Sequence, residues 1–166
     1  MEHPIYGSAG HGQISILKKI QKKVVRNVKG VAGRAHTNNI FMEFGILKVR
    51  DLIEYNRRVF GYGIWYNKLP ENIRSDFERV STVGAKTRAI EKLSLKEPFC
   101  KKKIHESAPC VTIPSAWNCL ETTTKSINKI GAFKNKLCKL FFEKYRNEPK
   151  CSRTHCYSCA WRSGRS

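Results

Sequence analysis

Apolar residues recur every three or four positions in several stretches of the chain, which is the spacing that one face of an α-helix produces. The clearest stretch begins at Ile14 and ends near Gly30 and Gly33. Its apolar stripe consists of Ile14, Leu17, Ile20, Val24, Val25 and Val28. Because glycine readily ends a helix, the pattern predicts an amphipathic helix over residues 14–29.

A second helix is predicted over residues 48–60, before Gly61 and Gly63. Its buried stripe would be Val49, Leu52, Ile53 and Phe60, with Arg50, Arg57 and Arg58 facing outward. Pro70 predicts a short third helix over residues 70–77, because proline is well tolerated at the first helical position. Tyr62, Trp65 and Tyr66 are interpreted as core residues rather than as a platform on which bases stack.

A last helix is predicted over residues 127–145, with Ser126 as its N-cap and Pro149 after its end. Its apolar stripe is Ile130, Phe133, Leu137, Leu140 and Phe141. Just before it, Trp117 is expected to anchor a local cluster. Residues 81–116 have few apolar positions and several prolines, so we expect irregular structure there.

These patterns predict a mostly α fold: a small helical domain with an irregular middle segment and a Cys-rich C-terminal tail. The predicted organisation is a basic helical segment at 1–80, an irregular linker at 81–116 and a C-terminal basic helix segment at 117–150. A Cys/His tail follows at 151–166. Hydrophobic residues make up 40% of the chain, which is enough for a packed core.

The excess of basic residues is the feature of the composition that most strongly indicates a function. The 32 lysines and arginines face 13 acidic residues, which gives a formal net charge of +19. Such an excess favours a polyanionic partner, and RNA or DNA fits best because lysines displace counterions from phosphates. Residues 14–35 contain no acid at all. The predicted nucleic-acid-binding residues are Lys18, Lys19, Lys22, Lys23, Arg26 and Lys29 of the first helix, and Lys134, Lys136 and Lys139 of the last.

Sequence motifs for catalysis are missing. The chain has no Gly-rich phosphate loop, no nucleophile elbow and no His-Glu-x-x-His helix. Polymerases and nucleases need clustered carboxylates for metal ions, whereas the nearest acid pair here, Asp51 and Glu54, is interpreted as surface partners of neighbouring arginines. We therefore expect no enzymatic activity and no small-molecule substrate.

The chain has neither an apolar run near the roughly 20 residues of a membrane span nor a secretory signal. No membrane association is expected, and the predicted location is the nucleus or the cytoplasm. In that reducing setting the seven cysteines would be free or bound to metal rather than paired in disulfides.

The C-terminal tail has the ligands for a zinc site. Cys156 and Cys159 have the spacing that lets two thiolates reach one tetrahedral ion, and Cys151 and His155 lie close by in the sequence. Adjacent His155 and Cys156 would strain a single site if both were used. The fourth ligand is therefore either His155 or Cys138, and a run of unliganded thiols is the alternative to any metal site.

The order of several short motifs resembles LINE-type (non-LTR) retrotransposon proteins, in particular Jockey-like elements. The motifs are ILKKIQKKVVRNVKG at 16–30, AHTNNIFMEFGILKVRDL at 35–52 and YNKLPENIRSDF at 66–77. Within them, the matching residues are Leu17, Gln21, Lys22, Lys23, Arg26, His36, Thr37, Phe41, Ile46, Leu47, Val49, Asp51, Leu52, Leu69, Pro70 and Phe77. Further matches in the same order are Thr87 with Arg88, Trp117, Asn118 and Leu120, and Phe133, Lys134 and Leu137.

The resemblance covers residues 5–160 and implies the region that follows the polymerase domain of an RNA-directed DNA polymerase polyprotein. The aromatic-Ala-Asp-Asp motif of that family's polymerase is absent from the sequence, so no catalytic aspartate carries over. The expected function is non-catalytic binding of RNA or DNA through basic helices. The alternatives are a domesticated host adaptor with a small zinc site and a basic module that packs on an acidic protein.

Overall fold

The computed structural model describes residues 11–31, 33, 35–80, 93–99 and 107–147. They form seven helices, so the predicted mostly α fold is confirmed. The helices are α1 (His11–Lys29), α2 (Asn38–Glu43), α3 (Val49–Trp65), α4 (Glu71–Arg74), α5 (Pro109–Asn118), α6 (Thr122–Lys125) and α7 (Ile130–Asn147). An isolated antiparallel bridge pairs Arg79 with Leu95. The predicted Cys/His tail lies outside the described residues.

Helix α3 continues five residues beyond its predicted end, through Gly61 and Gly63. The prediction that the helix stops before these glycines is wrong because both positions serve close packing. A Cβ at residue 61 would lie 2.9 Å from Cβ of Trp117, and one at residue 63 would lie 2.9 Å from Cγ of Leu69. Glycine leaves room for both neighbours.

Helix α5 occupies the end of the stretch that was predicted to be irregular, and that prediction is wrong for residues 109–116. Pro109 fits the first helical turn, where its missing N–H costs no hydrogen bond. Pro114 lies inside the helix, but it is buried together with Ile113, Ala116 and Trp117. Burial of this apolar cluster offsets the hydrogen bond that Pro114 removes.

Two further boundaries differ from the predictions. Ser126 follows α6 as its C-cap instead of opening the last helix, and α7 begins at Ile130. The predicted helix over 70–77 shortens to α4, for which Pro70 is the N-cap. Helices α4 and α6 are each a single turn. The N–H of the residue after each turn donates to the carbonyl of its first residue, from Ser75 to Glu71 and from Ser126 to Thr122.

The chain divides into two compact units. We call the described residues of Ile53–Leu137 the aromatic unit, and those of Gly10–Leu52 and Cys138–Ser166 the basic unit. The basic unit combines two segments that lie far apart in the sequence. The division falls within α3 and within α7.

The aromatic unit packs around Trp117, Tyr62 and Phe133, all of them fully buried. The ring centroid of Phe133 lies 4.7 Å from that of Tyr62 and 6.1 Å from that of Trp117. The indole N–H of Trp117 donates to the carbonyl of Leu93 over 2.8 Å, which satisfies its one polar group. Burial raises the pKa of Tyr62 and of Tyr66. The cluster predicted around Trp117 and the core role predicted for Tyr62 are confirmed.

Candidate nucleic-acid interface

Helix α1 turns a polar face towards the rest of the basic unit. The Gln21 side chain donates to the carbonyl of Leu47 and accepts the N–H of Val49, both over 2.9 Å. Val25 is 4% exposed on the same face, one turn further on. These contacts fix the rotation of the helix about its axis.

The predicted apolar stripe is therefore not the face of α1 that packs. Of its six residues only Val25 is buried, and Ile14 is half-buried. The others lie on exposed surface, with Leu17, Ile20, Val24 and Val28 each more than half exposed. The face that packs joins residues 14, 18, 21 and 25, which recur at helical spacing but include lysine and glutamine.

The start of α3 is held by side chains from elsewhere in the basic unit. The first N–H groups of a helix have no partner within it. Here the N–H of Lys48 donates to the Tyr145 hydroxyl over 2.9 Å, and that of Val49 donates to Gln21. Asp51 lies in the first turn, where a carboxylate interacts favourably with the helix dipole.

A hydrogen-bonded network links this helix start to α7. Asp51 is only 7% exposed, and its carboxylate accepts the Tyr145 hydroxyl at 2.7 Å and the Lys144 ammonium at 3.0 Å. The Lys48 ammonium lies 4.1 Å from the centroid of the Tyr145 ring, within range of a cation–π contact. Asp51 thus holds Lys144 directly, and Tyr145, which Asp51 also binds, contacts Lys48.

The basic unit has a cavity of about 290 Å³ beside this network, which we call the basic pocket. Its cationic lining residues are Lys18, Lys22, Lys48, Arg50 and Lys144, and its remaining lining residues are His36, Asn38 and Asp51. The cations come from α1, from the start of α3 and from α7. The structure therefore brings together charges that lie as much as 126 positions apart in the sequence.

The described lining of the basic pocket carries more positive than negative charge. It has five cationic side chains and one carboxylate, that of Asp51, which pairs with Lys144. Like charges within one concave surface repel each other, and an anion that enters relieves the repulsion. Phosphate oxygens accept hydrogen bonds from both ammonium and guanidinium groups.

The other predicted binding residues lie outside the pocket. Lys19 and Lys23 are exposed on α1, as are Lys136 and Lys139 on α7, whereas Lys134 is half-buried. Arg26 and Lys29 have structural partners: Arg26 donates to the carbonyl of Ala35 over 2.9 Å, and Lys29 pairs with Glu43. Of the nine predicted nucleic-acid-binding residues, the pocket includes Lys18 and Lys22.

The sequence analysis did not include Lys48 or Lys144, which line the pocket, among the candidate binding residues, and it assigned Arg50 only to an outward face. It also misjudged Asp51, which is buried against Tyr145 instead of pairing with an arginine at the surface. No local pattern identifies this set, because Lys144 and Asp51 are 93 positions apart. The excess of lysine in both helices was the only signal.

The ion pairs predicted for Glu54 are confirmed. Its carboxylate lies 3.0 Å from Arg58 and 4.0 Å from Arg57. Both arginine side chains are largely covered, at 18% and 20% exposure, so the prediction that they face outward is wrong. Leu52, predicted to be buried, is exposed. Buried Asp51 and half-buried Glu54 thus bring polar groups to the side of α3 that packs.

Zinc ligation was predicted for Cys151, His155, Cys156 and Cys159, which all lie outside the described residues. Cys138 is described: it is half-buried on α7, and burial raises the pKa of its thiol. Within the part of the chain that the structure describes, no three His, Cys, Asp or Glu side chains are grouped to hold a metal ion.

Comparison with known proteins finds no matching family model, no matching curated protein and no matching solved structure. None of the helices among the described residues is long and apolar enough to cross a membrane.

Proposed function

We propose that this chain is a non-catalytic segment that binds RNA or DNA, with the basic pocket as its principal contact to the phosphate backbone. The observation that carries the proposal is the convergence of five cationic side chains on one cavity. Their convergence from three parts of the basic unit distinguishes this cavity from a lysine-rich helix surface that is merely solvated.

The character of the pocket supports a phosphate ligand. Pockets for small organic molecules are mostly apolar with a few polar groups, whereas this one is lined by charged and polar side chains throughout. At about 290 Å³ it is also at the small end of the volume range of ligand pockets. Contacts to phosphate carry no base information, so we expect binding that is largely independent of sequence.

Two double variants of α1 test the pocket. Lys18→Gln with Lys22→Gln removes two charges from the lining of the basic pocket. Lys19→Gln with Lys23→Gln removes the same two charges from exposed positions of the same helix. Each variant lowers the net charge by the same amount and leaves Gln21 unaltered. The two variants therefore differ in where on α1 the charge is lost.

The measurement is a titration with single-stranded and double-stranded RNA and DNA at several salt concentrations. Each phosphate contact contributes about one unit to the slope of log K against log salt, so the pocket variant should lose about two units. The Lys19/Lys23 variant should lose less than half of that. Equal losses in the two variants would mean that diffuse charge, not the pocket, carries the binding.

We propose further that the chain belongs to a LINE-type element as the segment after the polymerase, acting in the nucleus or the cytoplasm. Support comes from the order of the motifs at 16–30, 35–52 and 66–77. Examination of the coding sequence upstream tests it: an in-frame polymerase region is the expected finding. A host promoter with introns would instead favour a domesticated adaptor.

A further inference from the structure

Helix α1 exposes a row of large apolar side chains, which we call the apolar stripe: Ile16, Leu17, Ile20, Val24 and Val28. Each is between 51% and 71% exposed. The row extends over 13 residues, or about 18 Å of helix. Exposed apolar side chains scattered singly are ordinary, whereas a contiguous row along one helix marks an interaction surface.

The stripe cannot be covered by a rotation of α1 within its own unit. Gln21 is hydrogen-bonded to Leu47 and Val49, and Arg26 to the carbonyl of Ala35. Val25 is buried on the face of α1 that makes these contacts. Turning the stripe inward would break all of these contacts.

The charges beside the stripe indicate what kind of partner covers it. Lys19 follows Ile16 by three positions, and Lys23 follows Ile20 by three, so each lysine is adjacent to the stripe on the helix surface. Both lysines are exposed, and residues 11–31 contain no acidic side chain to balance them. An apolar seam bordered by cations is complementary to an apolar seam bordered by carboxylates.

We propose that the apolar stripe docks an amphipathic helix of another protein, whose apolar seam is bordered by glutamate or aspartate. Leu17, Ile20, Val24 and Val28 are separated by three, four and four positions, which is the spacing of a helix–helix seam. Lys19 and Lys23 would pair with the partner's carboxylates at the edge of that seam. This interface does not depend on the basic pocket, because Lys18 and Lys22 lie on the other side of α1.

Three other occupants fit less well. A second copy of the chain would place the same lysines against each other, and its net charge of +19 opposes association. The chain's own residues 148–166 contain four cations and a single acid, which repel Lys19 and Lys23. A lipid surface favours helices that carry Trp, Phe or Leu on the apolar face, and the apolar stripe has a single leucine and neither Trp nor Phe.

The test uses the full chain and a synthetic peptide of about three heptads, with leucine at its a and d positions and glutamate at e and g. A second peptide of the same composition but scrambled order is the control for charge alone. In fluorescence anisotropy at about 0.15 M salt, the patterned peptide should bind at least about tenfold more tightly than the scrambled one.

The protein-side variant is Leu17→Gln with Val24→Gln, at positions exposed enough that the fold should not depend on them. It should weaken binding of the patterned peptide by about tenfold and leave the affinity for nucleic acid unchanged. Equal binding of the two peptides, or an unchanged affinity in the variant, would overturn the proposal. The proposal would also be overturned if the unaltered chain formed a dimer in sedimentation, or bound phosphatidylserine vesicles, and the variant abolished that association.

Discussion

At the scale of single residues, Gly61 shows how one missing side chain positions an aromatic core. Glycine inside a helix costs about 0.5–1 kcal/mol relative to alanine. In α3 that cost is offset by the approach of Trp117, whose Cβ would lie 2.9 Å from a Cβ at residue 61. Trp117 is then fully buried, with its ring centroid 6.1 Å from that of Phe133.

Gly61→Ala should therefore destabilise the protein, by about 1–3 kcal/mol, because the added methyl group forces Trp117 or α3 to shift. Gly131→Ala is the matched control: it also lies in a helix, and a Cβ there meets nothing within 4 Å. The control should be neutral or stabilising by up to about 1 kcal/mol. Urea unfolding of both variants checks the prediction, and a loss of the same size in both would refute the packing argument.

At the scale of elements, the positions of the long helices could be predicted and their buried faces could not. The periodicity indicated α1 and α7 to within three residues of their observed starts. It did not indicate which face of α1 packs, because Gln21 finds its partners 26 and 28 positions away. The same limit applies to α3, where buried Asp51 is satisfied by residues of α7.

Of the five cations that line the basic pocket, only the two on α1 could be predicted, because the others approach it through long-range contacts. Acid-free α1 pointed to Lys18 and Lys22, since a run of lysines on one helix is visible locally. Lys48, Arg50 and Lys144 join them only through the fold of the basic unit. Helix α5 was not predicted because three prolines lie in or near it and its apolar pattern is short. In the fold, burial of Ile113, Ala116 and Trp117 stabilises this helix.

The state of Cys138 on α7 bears on the zinc site predicted in the tail. Zinc binds thiolate rather than thiol, and burial raises the pKa of Cys138, which favours the neutral thiol. We predict that protein purified under reducing conditions holds one zinc through Cys151, Cys156 and Cys159, and burial of Cys138 favours His155 over Cys138 as the fourth ligand. Metal analysis should find it retained in Cys138→Ser and lost in His155→Ala. The reverse result would assign the fourth ligand to α7, and no zinc in the unaltered chain would refute the site.

At the scale of the whole molecule, the net charge of +19 affects stability and binding in opposite directions. Without a partner, like charges repel and oppose the compact state, and salt screens that repulsion. In the proposed complex with nucleic acid, phosphates would neutralise the same cations, and salt would weaken the complex by making counterion release less favourable.

Salt should consequently raise the Tm of the protein alone and lower the Tm gain that nucleic acid provides. A ligand that binds only the folded state adds RT ln(1 + [L]/Kd) to the free energy of unfolding, so the gain falls as Kd rises with salt. Thermal melts from about 0.05 to 0.5 M salt, with and without a single-stranded oligonucleotide, measure both trends. In the Lys18→Gln/Lys22→Gln variant the nucleic-acid-dependent gain should shrink and respond less to salt. A gain that salt leaves unchanged would show that nucleic acid is held by contacts other than phosphate pairing.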